Sequence, residues 1–185
     1  GRVVFRIMKK LLAIIVLSLL WSNVGSTSEF EWIKNQTEFE DSNRLLQWDK
    51  NKRFENFLRA NITKKEFHLA NLMESMSKPK ENPIKYLDNK RYVIIASCMY
   101  KFCTQKGLVF IDTINQEIIG AYLWEEQDEK NSIGLVILSK KHETYNKLPK
   151  TFLKTLEDWK KENNLDQRPA NIEFVGKNDN VQKIE

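Results

Sequence analysis

Tyr92-Val-Ile-Ile-Ala-Ser97, Leu108-Val-Phe-Ile-Asp112, Glu117-Ile-Ile-Gly-Ala-Tyr-Leu-Trp124 and Ile133-Gly-Leu-Val-Ile-Leu138 are four short runs rich in β-branched, aromatic and apolar residues. Runs of this length and composition, set between turn signals, read as strands. Thr113 to Gln116 suits a hairpin turn, and Glu125 to Asn131 a longer, acidic one. Toward the C-terminus, Leu148, Phe152, Leu153, Leu156 and Trp159 recur at helical spacing. That helix begins near Pro149, because proline is tolerated in a first turn. A last strand, Ile172 to Val175, ends before Gly176 and a polar tail.

Toward the N-terminus, Ser77 to Pro83 reads as a loop punctuated by Pro79 and Pro83, neither of which continues a helix. Thr63 and Glu66 have the spacing of a capping box, announcing a helix with Phe67, Ala70, Leu72 and Met73 on its apolar surface. An earlier helix spans Leu45 to Leu58, with Leu45, Leu46, Trp48, Phe54, Phe57 and Leu58 as its apolar set. The order is N-terminal helices, an antiparallel meander, one C-terminal helix and a strand, which is an α+β fold. Neither an internal repeat nor a long low-complexity tract interrupts it.

The first 26 residues read as an export signal. Lys9 and Lys10 follow Met8, and an apolar run from Leu11 to Trp21 is interrupted only by Ser18. That run is shorter than the ~20 residues needed to span a bilayer, so no stable membrane anchor is expected. Ser22 to Ser28 then supplies small and polar residues, with Val24 and Ser26 placed for a cleavage site. Residues 1–7 read as lying upstream of the start, and residues 27–185 as a single α+β domain. Cleavage removes Arg2, Arg6, Lys9 and Lys10, leaving 26 Lys and Arg against 25 Asp and Glu. The formal charge falls from +5 to about +1, which withdraws the argument for nucleic-acid binding.

Export also changes the reading of Cys98 and Cys103. An even count, close spacing and an oxidising destination favour a disulfide over a metal site or a reactive thiol. The chemistry for catalysis is sparse, and no enzymatic activity, metal or cofactor is expected. There is no phosphate-binding glycine loop, no G-x-S-x-G and no H-E-x-x-H. His68 falls within an amphipathic helix and His142 in a polar loop. A Cys98–His142 thiol hydrolase would require a free thiol in an oxidising compartment. Glu125, Glu126, Asp128 and Glu129 read as a solvated loop, because acid–base work needs a carboxyl in a shaped, partly dry site. Asn35-Gln-Thr37 and Asn61-Ile-Thr63 match glycosylation sequons.

The chemistry-bearing feature is Cys98-Met99-Tyr100-Lys101-Phe102-Cys103, at the end of the Tyr92 strand and leading into Gly107-Leu-Val-Phe. A disulfide-closed loop is preorganised, so ordering it on binding costs little. Two aromatics around a cation suit insertion into a partner's cleft, making Met99, Tyr100, Lys101 and Phe102 the candidate partner-binding residues; the same residues read equally well as a structural staple carrying a solvent-facing loop.

From Tyr92 to Leu123 the chain resembles the periplasmic inhibitor-of-vertebrate-lysozyme (Ivy-like) family. That family carries a strand ending in a C-K-P-H-D-C loop, then a strand, a turn and another strand with a glycine. Here Cys98-Met-Tyr-Lys-Phe-Cys103 has the same spacing, followed by Gln105-Lys-Gly-Leu-Val-Phe and Ile119-Gly120. Lys101 stands at the position of the family's histidine, and Tyr100 and Phe102 replace its proline and aspartate. The resemblance implies a loop that enters a lysozyme cleft and meets its catalytic carboxylates, and it implies a dimer. The acidic loop from Glu125 would steer the chain toward a cationic lysozyme. The alternative is a periplasmic immunity or adaptor protein for a different toxin or envelope partner.

Overall fold

The computed structural model describes residues 29–34, 52–78, 83–101, 103–126 and 131–184. The expected export signal, residues 1–26, therefore lies outside the described residues, as do Leu45, Leu46 and Trp48 of the first expected helix. The chain divides into two compact units, residues 1–38 and 39–185. In the first, residues 29–34 are helical, with Phe30 and Ile33 buried. All other described residues belong to the second.

One seven-stranded sheet carries the second unit. Its strands are β1 (Ile84–Leu87), β2 (Tyr92–Cys98), β3 (Gln105–Asp112), β4 (Glu117–Glu125), β5 (Ile133–Leu138), β6 (Ala170–Val175) and β7 (Val181–Ile184). Spatial order follows chain order throughout. Every neighbouring pair is antiparallel except β5 and β6, which run parallel. A parallel pair needs a crossover, and α3 (Lys150–Glu162) supplies it. Helices α1 (Lys52–Asn61) and α2 (Glu66–Glu74) precede the sheet. The expected α+β architecture, helices flanking a largely antiparallel sheet, is the one observed.

Both faces of the sheet are covered, which explains why the strands read as continuous apolar runs rather than alternating ones. All six residues of β5 are buried, as are seven of nine in β4. On one face, Ile94, Phe110, Ile119 and Ile137 pack with Phe152, Leu156 and Trp159 of α3. Burial of side chains such as Phe152 and Leu156 contributes about 1.5–3 kcal/mol each in transfer free energy. On the other face α2 lies directly on the backbone. A Cβ at Gly107 would stand 3.2 Å from Leu72 O of α2 and 2.2 Å from Cγ of Met76, just beyond the helix, so a side chain there would push this packing apart.

Several expectations are corrected. The Thr63–Glu66 capping box is absent: α2 begins at Glu66 behind Lys65 without a side-chain cap. Thr63 Oγ1 instead donates to Asp179 Oδ1 at 3.3 Å, and Glu66 pairs with Arg59. The buried face of α2 is Leu69 and Leu72, whereas Phe67 is 72% exposed and Ala70 is also exposed. Two strands were not expected. β1 follows the loop at Pro83, and β7 lies in the polar tail. Both are four-residue edge strands whose side chains alternate between half-buried and exposed.

Candidate partner-binding loop

Strand β2 ends at Cys98 and β3 begins at Gln105, so the six residues between them turn the chain at one end of the sheet. The Cys98–Cys103 disulfide closes this turn across a Cα–Cα distance of 5.0 Å. Main-chain bonds hold its base: Met99 N donates to Gln105 O at 2.9 Å, and Glu125 N of β4 to Thr104 O at 3.2 Å.

The segment after α2 braces the other side. Lys78 N donates to Cys98 O at 2.8 Å, Ser97 Oγ to Lys78 O at 2.8 Å, and Ser77 Oγ accepts from Tyr100 N at 3.0 Å. What remains outward is small and specific. Met99 is half-buried, Tyr100 is 58% exposed and Lys101 is exposed. Lys101 has φ 70°, a left-handed conformation uncommon for a residue bearing a Cβ. Its ammonium stands 5.8 Å from the Tyr100 ring centroid. Phe102 lies outside the described residues.

The acidic loop emerges at the same end of the sheet. Its first carboxylate is already neutralised: Glu125 pairs with Arg168 at 2.8 Å and with Lys106 at 3.5 Å. The Arg168 hydrogen bond, followed by the attraction of Lys106, outweighs burial and lowers the Glu125 carboxyl below the usual range. Glu126 accepts from Ser132 Oγ and Asn171 Nδ2, both at 2.9 Å. These two residues tie the loop down. Asp128 and Glu129 lie outside the described residues.

The opposite end of the sheet holds the remaining titratable cluster. His142 is half-buried: Nδ1 lies 2.8 Å from Ser139 Oγ, and Nε2 lies 3.0 Å from Glu117 Oε1. The second contact is an ion-pair approach without hydrogen-bond alignment. Burial raises the Glu117 carboxyl above its ordinary value, with His142 opposing. Serine, histidine and glutamate in series resemble a nucleophile relay, but Ser139 is wholly buried and no substrate atom could reach it. Cys98 is in a disulfide and sits at the other end of the strands, so the Cys98–His142 pair is not brought together. Among the described residues no group of three or more metal-ligating side chains converges, and no helix is long and apolar enough to cross a membrane.

No family model, curated protein or solved structure matches the chain.

A second feature adjoins the loop and was not expected from the sequence. A cleft of about 300 Å³ opens between α2 and the sheet, walled by Phe67, His68, Tyr122 and Trp124, with Gln105 and Glu173 among its polar groups. Trp124 lies over its β5 neighbour Gly134, where a Cβ would come within 2.1 Å of the indole. His68 Nδ1 and Tyr122 Oη are 2.9 Å apart. Burial, then Lys65, pushes the imidazole pKa down, while burial and Glu173 push the Tyr122 phenol up to about 12. At neutral pH the pair is therefore uncharged. These residues come from four separate stretches of chain, brought together by the strand register and by the packing of α2 on the sheet.

Proposed function

We propose that this protein is exported and acts as a binding protein, not an enzyme, inserting the Cys98–Cys103 loop into the active-site cleft of a lysozyme. The observation that carries this reading is Lys101: an exposed cation at the turn of a loop braced by a disulfide, by Ser77 and Lys78, and by β4. Preorganisation keeps the ordering cost of binding small. Glycosidases of this kind act through a pair of carboxyl groups, and an ammonium placed between them pairs with both. Tyr100 would supply the aromatic anchor beside it. Lysine is a flexible point charge, so the rigid backbone beneath it carries more of the positioning than it would for an imidazole. The resemblance of Tyr92 to Leu123 to lysozyme inhibitors points the same way.

Addition of the exported protein to a lysis assay tests the reading. Lysis by at least one lysozyme class should slow in proportion to added protein, and Lys101→Ala should abolish most of that effect. Unchanged lysis across several lysozyme classes would overturn it.

A further inference from the structure

The cleft between α2 and the sheet differs from two other clefts of comparable size among the described residues in having no lysine or arginine in its lining. One, beside the disulfide, is lined by Lys78 and Lys106 with Glu162, and the other, along α3, by Lys85 and Lys154 with Asp158 and Glu162. The walls between Phe67 and Trp124 contain neither lysine nor arginine. Their one carboxylate is Glu173, which is half-buried and has no hydrogen-bonding or ion-pair partner among the described residues. His68 adds no positive charge at neutral pH, because burial and Lys65 depress its pKa.

Aromatic groups line the same cleft as that carboxylate. Tyr122 and Trp124 are neighbours with ring centroids 6.2 Å apart, and Phe67 and His68 meet edge to face at 5.4 Å. Phe67 is a helix residue left 72% exposed, on a chain that buries its other described phenylalanines. Aromatic faces beside a carboxylate form a receptor for an ammonium or guanidinium group; Lys183 of β7 stands opposite Glu173 in register but is exposed and makes no ion pair with it among the described residues. The cleft also adjoins the proposed binding loop: Gln105 lines it, and the Gln105 carbonyl accepts from Met99 N inside the loop.

We propose that this cleft is a second contact site, receiving a lysine or arginine side chain from a basic protein partner whose active site meets Lys101. This rests on the reading of the loop as a protein-binding element and names the chemistry of the partner's flank. The two contacts are complementary in sign: a cation from this chain enters the partner, and a cation from the partner enters this chain.

Titration of the exported protein with Nα-acetyl-arginine amide, followed by NMR at the indole N–H of Trp124, tests the cleft without any lysozyme. The Trp124 signal, assigned by its loss in Trp124→Phe, should shift saturably. Glu173→Gln should weaken binding by about threefold or more, and Phe67→Ala, at an exposed position that cannot compromise the core, by about twofold or more. Chitotriose, an uncharged ligand with stacking faces, should leave the signal in place. No saturable shift with the arginine probe, a shift with chitotriose alone, or equal affinity in Glu173→Gln would each overturn the proposal. Because the probe is a small molecule, these outcomes are read independently of lysozyme inhibition. Inhibition with an unresponsive Trp124 would sink the cleft alone, and a responsive Trp124 without inhibition would sink the loop reading alone.

Discussion

The two ends of the sheet use polar side chains in opposite ways. At the hairpin end, Asp112 accepts from Arg91 Nη2 at 3.0 Å, from the backbone N–H of Ile114 and Asn115, and from Asn115 Nδ2. Glu117, His142 and Ser139 close on one another beside it. The charges there are spent on holding the turn. At the loop end the backbone is anchored as firmly, but Tyr100 and Lys101 face outward, and Glu173 waits in its cleft without a partner among the described residues. At the hairpin end the buried polar groups pair with one another, Glu117 Oε1 excepted, as such groups normally do, whereas the exposed, preorganised groups at the loop end are available to a partner.

The largest effect that would break this contrast is expected at Asp112. Its carboxylate is nearly buried, and Asp112→Ala removes charge-assisted bonds from five donor groups at once. A loss of about 2–3 kcal/mol in urea unfolding is expected, with partner affinity retained by the folded fraction. Loss of affinity in the native state would show that the hairpin end participates in binding. Next comes the double substitution Cys98→Ser and Cys103→Ser. The short loop limits the stability cost to about 2 kcal/mol, whereas partner affinity should fall about tenfold or more as the loop loses its fixed shape. An unfolding cost without loss of affinity would reduce the disulfide to a staple.

The smallest effect concerns pH. The folded-state pKa of His68 is depressed, by burial first and then by Lys65, with Glu173 and Asp179 opposing. The unfolded chain therefore binds more protons in the window below the ordinary histidine value of about 6.5, so stability falls as pH drops through that window. Denaturation midpoints at pH 7.5 and 5.5 should differ in this sense, and His68→Gln should flatten part of the difference. An unaltered slope would remove His68 from the account.

The fold was largely legible because the central strands are long, apolar and bounded by turns, and because α3 keeps a clean helical period from Phe152 to Trp159. What escaped was short or shared. β1 and β7 are four-residue edges that bury half their side chains, too little to leave a periodic signal. Thr63 and Glu66 had the spacing of a cap, but tertiary partners at Asp179 and Arg59 claimed both side chains. The loop could be read from Cys98 and Cys103 because its parts are contiguous. The cleft could not, since Phe67, Trp124 and Glu173 meet only through strand register and the packing of α2 on the sheet, and Phe67 reads in sequence as an ordinary core position on α2.

The central claim is that Lys101 makes the decisive contact with a lysozyme, and calorimetric titration of the exported protein against lysozymes of different classes tests it most directly. Saturable binding is expected for at least one class, and Lys101→Ala should weaken it about tenfold or more without moving the thermal midpoint. Absence of binding to every class, or undiminished affinity in Lys101→Ala, would contradict it.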